Sequence, residues 1–197
     1  MPHSSLRVGG FVPFTSIDYP GELAAVVFCQ GCPWRCGYCH NRHLLPASSD
    51  HLLDWRDILK ELEQRRDFLD AVVFSGGEPT TQSALAEAME DVRALGYKVG
   101  LHTAGCHPRR LEKLLPLVDW IGLDIKALPE HYPAITGVAG SGGAAWESLE
   151  CLRGTGIPVQ IRTTLDPSLA PEQIRDIRTR IHEAGFHDHQ LQPCRTP

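Results

Sequence analysis

The sequence predicts an α/β fold in which a parallel sheet is built from about six strand–helix units. Two observations support this prediction: short, nearly continuous apolar runs, and amphipathic segments between them whose apolar residues recur with helical spacing. Such alternation favours parallel strands joined by right-handed crossovers. Because six units are too few to close an eight-stranded barrel, an open, partial barrel fits the count. A flat doubly wound sheet remains the alternative, since periodicity does not separate the two.

The predicted strands are short runs rich in β-branched and aromatic residues. They span residues 24–29, 71–75, 98–102, 120–124, 159–163 and, more weakly, 189–192. The predicted helices carry apolar residues three or four positions apart, and capping residues such as Asp54 and Gly185 bound them. Their apolar faces are Trp55, Ile58, Leu59 and Leu62; Leu85, Met89 and Val92; Leu111, Leu114 and Leu115; Trp146, Leu149 and Leu152; and Ile174, Ile177 and Ile181. Residues 140–143, Gly-Ser-Gly-Gly, are expected to form a short flexible loop.

Size and composition are those of an ordinary globular chain. With 197 residues, of which 42% are hydrophobic, residues 1–197 are expected to form a single domain. A formal net charge of −5 argues against nucleic acid as a main partner. No apolar run approaches the ~18 residues of a membrane span, and no signal peptide is recognisable. Seven cysteines without an export signal therefore predict reduced thiols and a cytoplasmic protein.

Three cysteines, Cys32, Cys36 and Cys39, form a C-x3-C-x2-C motif after the first predicted strand. In parallel α/β folds, active sites gather at the carboxyl ends of the strands, which is where this loop begins. The spacing places three thiolates close enough to bind one compact iron–sulfur cluster, and Gly31 and Gly37 let the backbone turn around it. Because a cubane cluster with three protein thiolates keeps one iron open, the motif predicts chemistry at the cluster rather than electron storage.

Two alternatives for the cysteines remain open. Cys29 and Cys32, with Cys36 and Cys39, make two C-x2-C pairs that could bind zinc. Only three residues separate these pairs, whereas zinc sites of this kind usually leave ~15–20. Cys29 also ends an apolar strand, which favours a place in the core. A cluster with four protein ligands would need a further cysteine, and the candidates are Cys106, Cys151 and Cys194.

The cysteine motif, with Tyr38 directly before the last cysteine, resembles the signature of radical S-adenosylmethionine enzymes. Four further motifs extend this resemblance to the glycyl-radical-enzyme activating proteins, from about Gly9 to the C-terminus. The motifs are Ile17-Asp18-Tyr19-Pro20-Gly21, His40-Asn41, Ser75-Gly76-Gly77-Glu78-Pro79 and Leu123-Asp124-Ile125-Lys126. Within that family, the sequence is most similar to the activators of anaerobic, class III ribonucleoside-triphosphate reductase.

The resemblance implies a fold, two cofactors and a reaction. The fold is an open, partial (β/α)6 TIM-like barrel of the radical S-adenosylmethionine type. A [4Fe–4S] cluster on Cys32, Cys36 and Cys39 binds S-adenosyl-L-methionine and cleaves it reductively to a 5′-deoxyadenosyl radical, which abstracts hydrogen from a glycine. Cluster and cofactor carry this chemistry, so no side chain is expected to act as a catalytic acid or base. The implied partners are the large anaerobic ribonucleotide reductase subunit and, as electron donor, flavodoxin or ferredoxin.

The resemblance also implies which residues contact the cofactor. Gly76, Gly77 and Glu78 are similar to the element whose backbone binds the amino group of the methionine moiety, although such a sequence alone indicates an ordinary turn. Tyr38 is expected to lie against the adenine. His40, after the last cysteine, is expected to touch the cofactor or the cluster.

Asp124 and Lys126 end the fourth predicted strand and share one of its faces. A mutual salt bridge is one interpretation. The resemblance implies instead that Asp124 lies near the ribose or a bound cation and Lys126 near the methionine carboxylate, with Thr103 beside them. Related pyruvate formate-lyase activators have an acidic residue before that threonine, whereas this sequence has His102, which argues against a cation site of that type. Arg195 is either a cofactor contact or solvated.

Three other functions remain possible. An activator of pyruvate formate-lyase or of another glycyl radical enzyme would use the same chemistry on a different partner. A radical enzyme acting on a small molecule, such as a 7-carboxy-7-deazaguanine synthase, could have a similar size. A non-enzymatic zinc or electron-carrying module would need no radical. A protein substrate is favoured because an open barrel leaves a wide mouth, which residues 11–21 are expected to border.

Overall fold

The computed structural model describes residues 6–194, which contain a seven-stranded sheet whose strands follow one another in chain order. The strands are β1 (Val8–Thr15), β2 (Ala24–Cys29), β3 (Ala71–Gly76), β4 (Lys98–Thr103), β5 (Trp120–Asp124), β6 (Val159–Leu165) and β7 (His189–Pro193). The strands from β2 to β7 are parallel, and the edge strands β1 and β7 are not paired with each other over this range. A doubly wound sheet reverses its strand order at a switch point. The sequential order therefore confirms the open, partial barrel.

Helices follow most of the parallel strands and pack against the outer face of the sheet. They are α1 (Trp55–Glu63), α2 (Leu85–Ala94), α3 (Pro108–Leu114), α4 (Tyr132–Thr136), α5 (Ser141–Cys151) and α6 (Pro171–Glu183), with 3-10 helices at Arg42–Leu44, Pro79–Thr81, Leu115–Leu117 and Pro129–His131. Asp54 caps α1 as predicted, because its carboxylate accepts a hydrogen bond from the Arg56 N–H at 2.9 Å. No helix within residues 6–194 is both long enough and apolar enough to cross a membrane.

Strand β1 is an element that the sequence pattern did not predict. It runs antiparallel to β2, with Val8 opposite Cys29 and Thr15 opposite Ala24, and its register shifts twice. Gly9, Gly10 and Pro13 hide the strand pattern in the sequence. Since β1 is an edge strand, it tolerates a proline that could not donate a ladder hydrogen bond inside the sheet.

The prediction of a flexible loop at residues 140–143 was wrong, because α5 begins at Ser141. Gly140 has a φ of +74°, and the buried Ser141 donates a hydrogen bond to the Val138 carbonyl at 2.7 Å. Gly142 packs against Pro129 so closely that a Cβ atom would lie 2.3 Å from the Pro129 carbonyl oxygen. These glycines therefore allow a tight helix start and a close backbone contact, and they do not indicate a flexible segment.

Alternate residues of the strands build two apolar surfaces. Val72, Phe74 and Leu101 belong to the large core beneath the helices, whereas the inner face of the barrel carries a smaller cluster. The members of that cluster are Tyr19, Ala24, Val26, Ala71, Val73 and Trp120. Tyr19 comes from the loop after β1 and stacks on Trp120 with ring centroids 5.3 Å apart. Part of the segment 11–21 is thus buried against the inner face, while Phe14 and Ile17 are exposed.

Candidate cluster and cofactor site

The three cysteines of the C-x3-C-x2-C motif line one cavity of about 160 Å³ at the carboxyl edge of the sheet. The other lining residues come from the cysteine loop and the 3-10 turn after it, from the ends of β3, β4 and β5 with the residues that follow them, and from the middle of β6. They are Trp34, Tyr38, Leu45, Ser75, Gly76, Gly77, His102, Thr103, Ala104, Asp124, Lys126 and Arg162. The fold therefore brings together the cysteines and most of the predicted cofactor contacts, from positions up to 130 residues apart in the chain (Cys32 to Arg162).

Backbone hydrogen bonds hold the cysteine loop on both sides. The Gly31 and Cys32 N–H groups donate to the carbonyls of the residues that end the following 3-10 turn, at 2.7 and 3.1 Å. On the other side, the Arg35 N–H donates to the Thr136 carbonyl of α4 at 2.8 Å. Trp34 packs edge-on against Tyr132 of the same helix, with centroids 5.7 Å apart. The cysteines are thus positioned by the scaffold.

Burial dominates the chemistry of the cysteine thiols. It raises the pKa of Cys32 to about 11 and also raises the pKa of Cys36, against the opposing effect of the Lys126 ammonium on both thiols. Metal binding to such thiols releases protons, because thiolates are the ligands. Cys29 and Cys106 are buried outside the cavity lining, and burial raises the pKa of each above its ordinary value.

The donor set fits an iron–sulfur cluster better than a single zinc ion. Among residues 6–194, no group of three or more histidine, cysteine, aspartate or glutamate side chains is arranged to hold one metal ion. Three cysteines that line one cavity suit a multi-iron cluster, for which thiolates are the usual ligands. Of the other cysteines, Cys151 ends α5 and Cys194 follows β7, and neither lines the cavity. This arrangement supports three protein ligands rather than four.

The Gly76–Gly77 segment is built for close backbone contact with the cysteine loop. Gly76 has a φ of +104°, and a Cβ atom at Gly77 would lie 2.4 Å from the Gly31 carbonyl oxygen. The Gly77 and Glu78 N–H groups donate to the Cys29 and Gly31 carbonyls at 2.9 and 2.8 Å. Because an ammonium group needs acceptors, the carbonyl oxygens of this segment are the backbone groups suited to the methionine amino group.

The Glu78 carboxylate is fully buried and does not line the cavity. One oxygen accepts hydrogen bonds from the Thr80 hydroxyl at 2.6 Å and the Thr103 hydroxyl at 2.7 Å, and the other accepts from the Ala104 N–H at 2.8 Å. Glu78 therefore ties the turn after β3 to the end of β4. Thr103 lines the cavity, but its hydroxyl hydrogen is committed to Glu78.

Asp124 lies between two cations. The Lys126 Nζ is 3.2 Å from one carboxylate oxygen, and the Arg162 Nε and Nη2 are 3.0 and 2.9 Å from the other. Burial would raise the pKa of Asp124, but Arg162 and Lys126 outweigh it and lower the pKa to about 2. For Lys126, burial is outweighed by Tyr38 and Asp124, and the pKa stands well above its ordinary value. With two cations against one carboxylate, this wall of the cavity suits an anionic ligand group.

Tyr38 borders the cavity beside Lys126. The ammonium nitrogen lies 5.6 Å from the centre of its ring, within the range of a cation–π contact. Burial raises the pKa of the phenol, although Lys126 opposes this shift. The hydroxyl oxygen is buried and has no hydrogen-bond partner within the described part of the chain. A buried polar atom of this kind commonly marks a place where a ligand or water binds.

His40 lies outside this cavity. It is exposed and lines a neighbouring hollow of about 420 Å³. The other residues of that hollow are Tyr38, Cys39, Asn41, Gly76, Thr164, Gln192 and Pro193. Because Tyr38, Cys39 and Gly76 line both spaces, a ligand larger than the cavity could reach into the hollow. Arg195 lies outside the described residues.

Arg162 is the cavity residue that the sequence analysis missed. It lies opposite Asp124 in the register of β5 and β6, and both side chains face the cavity. A signal was present, because an arginine in the middle of a strand with buried neighbours on both sides needs an anionic partner. Its partner could not be named before the strand register was known.

Comparison with known proteins defines the class. The Radical SAM superfamily profile matches residues 26–181. A pyruvate formate-lyase-activating enzyme of Clostridium pasteurianum is 33% identical over 176 residues, covering 84% of this chain and 71% of that enzyme. The pyruvate formate-lyase 1-activating enzyme of Escherichia coli K12 is 31% identical over 173 residues, covering 82% and 68%. The chain therefore belongs to the radical SAM superfamily and, within it, to the family of glycyl-radical-enzyme activating enzymes.

Solved structures share the fold at low sequence identity. Streptococcus suis SuiB bound to S-adenosylmethionine gives a TM-score of 0.69 at 17% identity, and the match covers 85% of this chain but 39% of SuiB. QueE from Escherichia coli gives 0.57 at 14% identity and covers 95% and 94%. The chain thus spans about two fifths of SuiB and nearly all of QueE.

Membership of the superfamily answers one of the open questions. The chain is a radical S-adenosylmethionine enzyme whose cofactors are a [4Fe–4S] cluster and S-adenosyl-L-methionine. This finding overturns the alternative of a non-enzymatic zinc or electron-carrying module.

Proposed function

We propose that this enzyme generates a glycyl radical on the large subunit of anaerobic ribonucleoside-triphosphate reductase. The observation that carries the proposal is the convergence of Cys32, Cys36 and Cys39 with Lys126 and Asp124 in one cavity, within a chain of the activating-enzyme family. When bound, the cluster and S-adenosylmethionine supply the 5′-deoxyadenosyl radical that abstracts a glycine hydrogen. No side-chain base is needed for that step.

The three cysteines are the proposed cluster ligands, and one iron stays open for the amino and carboxylate groups of S-adenosylmethionine. The Gly76 and Gly77 carbonyls are proposed to accept hydrogen bonds from the amino group, and Lys126 to pair with the carboxylate. Asp124 then holds Lys126 in place from the other side. Tyr38 and Thr103 complete the cavity wall, and His40 is a proposed contact in the neighbouring hollow. The proposed contact of Arg195 rests on the sequence alone, because that residue lies outside the described range.

The choice of partner depends on His102. By the family resemblance, pyruvate formate-lyase activators have an acidic residue at this point, whereas here a half-buried imidazole lies next to Arg162 and lines the same cavity as Asp124. The lack of an acid here agrees with the reductase-activating branch of the family, although a different local charge balance would also account for it. The setting we propose is the cytoplasm, with flavodoxin or ferredoxin as reductant and without nucleic acid or membrane as partner.

Pyruvate formate-lyase is the second candidate partner, because two relatives at 31 and 33% identity are named as its activating enzymes. The small-molecule alternative is less well supported, since the similarity to QueE extends to the fold alone.

Electron paramagnetic resonance distinguishes the candidates. The anaerobically reconstituted enzyme is reduced, mixed with S-adenosylmethionine and incubated separately with purified anaerobic reductase and with pyruvate formate-lyase. We expect the glycyl radical doublet with the reductase. A doublet with the lyase alone would reassign the partner, and rapid turnover of a small molecule without any protein would overturn the activating function. The Cys36→Ala enzyme is the negative control.

A further inference from the structure

His102 connects the loop between β1 and β2 to the charged wall of the cavity. Its Nε2 lies 2.8 Å from the Asp18 carbonyl oxygen, and its ring meets Trp120 edge-on with centroids 5.4 Å apart. On the other side, the Arg162 Nη1 lies 3.4 Å from Nδ1 and 3.5 Å from Nε2. The Ser75 hydroxyl is 3.4 Å from Nδ1. One imidazole therefore contacts elements from β1–β2, β3, β5 and β6.

These contacts define the protonation of the ring. A carbonyl oxygen only accepts hydrogen bonds, so Nε2 must carry a proton and donate it to Asp18. Arg162 is always charged and only donates, and its Nη1 lies almost equally far from the two ring nitrogens, so it contacts the ring itself rather than one lone pair. With Nε2 protonated, Nδ1 is the nitrogen without a proton in a neutral ring. A doubly protonated ring would place two cations 3.4 Å apart. Burial, reinforced by Arg162, lowers the pKa of His102 to about 4, in agreement with a neutral ring at pH 7.

Arg162 passes this orientation on to the cavity. Its Nε and Nη2 both contact one oxygen of Asp124, and the remaining Nη1 faces His102. The second Asp124 oxygen binds Lys126. With a side chain that is 14% exposed, Arg162 has few other positions to adopt. A chain of polar contacts thus runs from Asp18 through His102, Arg162 and Asp124 to Lys126.

Gly122 provides the space for this pair. A Cβ atom there would lie 3.0 Å from the His102 Cδ2 and 3.1 Å from the Arg162 Cζ. Its φ lies outside the left-handed region, so an alanine would act by crowding these side chains and Trp120 rather than by backbone strain. Position 122 therefore offers a steric probe that leaves every polar group of the chain in place.

We propose that His102 and Arg162 are positioning residues for S-adenosylmethionine binding: the neutral imidazole fixes the guanidinium, which fixes Asp124 and so aims Lys126 into the cavity. This inference depends on the proposed contact between Lys126 and the methionine carboxylate. It assigns to His102, at the place where relatives carry an acid, a role in ordering the binding wall.

The test compares two His102 variants that separate hydrogen bonding from packing. His102→Phe keeps a ring against Trp120 but removes the hydrogen bond to Asp18 and the polar contact with Arg162, whereas His102→Gln offers a donor for Asp18 and an acceptor for Arg162. Binding of S-adenosylmethionine to the reconstituted, unreduced enzyme is measured by equilibrium dialysis. We expect the Kd to rise about ten-fold or more in His102→Phe and to stay within about three-fold in His102→Gln. Wild-type affinity in His102→Phe, or equal losses in both variants, would overturn the proposal.

Gly122→Ala is expected to weaken binding as His102→Phe does, with the exposed helix position Gly143→Ala as its control. A Gly122→Ala enzyme that binds like Gly143→Ala contradicts the proposal.

A second readout needs no bound cofactor. Histidine ring ¹⁵N shifts of the wild type, assigned with His102→Gln, should show a neutral ring protonated on Nε2 from pH 6 to 8. A ring protonated on Nδ1, or a charged ring, would overturn the assignment. This result is independent of the partner, so failure to form a glycyl radical would reject the proposed function while leaving the positioning role measurable.

Discussion

Arg162 and Asp124 lie opposite each other in the register of β6 and β5, and the guanidinium Nη2 is 2.9 Å from the carboxylate Oδ1. The pair stands at the carboxyl edge of the sheet, where its charges face the same cavity as the cysteine motif. Because the carboxylate also binds Lys126, a single anion orders two cations. The wall keeps one positive charge in excess, which is what a ligand carboxylate requires.

Removal of the Lys126 ammonium should weaken S-adenosylmethionine binding. A hydrogen bond between charged groups contributes about 1.5–3 kcal/mol, so Lys126→Met is expected to raise the Kd roughly ten- to hundred-fold. Equilibrium dialysis with labelled S-adenosylmethionine measures the change. The matched control is Lys98→Met, since Lys98 is half-exposed, pairs with Glu22 at the amino end of β4 and lines no part of the cavity. Equal affinities in the two variants would exclude a contact between Lys126 and the ligand.

The cysteine assignment predicts a sharp division among seven thiols. Cys36→Ala should lose most of its iron and all reductive cleavage of S-adenosylmethionine, because a cluster with two thiolates is poorly held. Cys151→Ala should keep both, since Cys151 ends α5 and does not line the cavity. Iron and sulfide analysis after anaerobic reconstitution, with methionine release as the activity, gives the comparison. Full iron content in Cys36→Ala, or its loss in Cys151→Ala, would contradict the ligand set.

Glu78→Gln should lower the stability of the fold more than it lowers the affinity for S-adenosylmethionine. The buried carboxylate accepts hydrogen bonds from two hydroxyls and two backbone N–H groups, and an amide would turn an NH₂ group against some of those donors. We expect the free energy of unfolding to fall by about 2–3 kcal/mol, whereas exposed Glu63→Gln should change it by less than about 0.5 kcal/mol. Urea unfolding measures both. A stable Glu78→Gln enzyme with strongly weakened binding would favour a direct cofactor contact instead.

Neutral His102 predicts an acid-sensitive stability. Its pKa is about 4 in the folded chain and 6.5 as the ordinary value, so the unfolded state binds the proton first as the pH falls. The stability that the fold gains from keeping His102 neutral is fully present well above pH 6.5 and is lost as the pH falls towards 4. By pH 5.5 the wild type should lose on the order of 1 kcal/mol of unfolding free energy through this residue.

The free energy of unfolding of His102→Gln should lack this loss on acidification. Urea unfolding of the wild type and the variant at pH 7.5, 6.5 and 5.5 measures the difference. The groups that face the ring are Asp18, Ser75, Trp120, Asp124 and Arg162. Of these, the Asp124 carboxylate has a pKa of about 2 and stays ionised over this range. Parallel pH profiles for the wild type and the variant would show that the ring is not buried in its neutral form.

Local sequence patterns predicted correctly those strands that are buried and apolar along their length. The strand Ala24–Cys29 is apolar throughout, the strand Trp120–Asp124 is apolar up to its last residue, and both have the predicted bounds. Strand β1 was missed because Gly9, Gly10 and Pro13 are tolerated only by its edge position, which is a property of the sheet. The loop prediction for residues 140–143 was wrong because Gly142 is needed for close contact with the Pro129 backbone. Pro129 is near Gly142 in space but lies outside the sequence window from which the loop was predicted.

The same distinction applies to the site. That the cysteine loop and the end of β5 meet follows from parallel strands, whose carboxyl ends share one edge. That the Glu78 carboxylate turns inward to Thr103 and Ala104 depends on the packing of two strand ends. The partnership of Arg162 with Asp124 depends on strand register. Neither relationship is encoded within a local window of sequence.

The most direct test of the proposed cluster is electron–nuclear double resonance on the reduced, reconstituted enzyme with S-adenosylmethionine labelled with ¹⁵N and ¹⁷O in its methionine part. If Cys32, Cys36 and Cys39 leave one iron open, the amino nitrogen and a carboxylate oxygen should both show hyperfine coupling to the cluster, and the coupling should persist in Cys151→Ala. A reduced cluster that binds S-adenosylmethionine without coupling to either label would contradict the account.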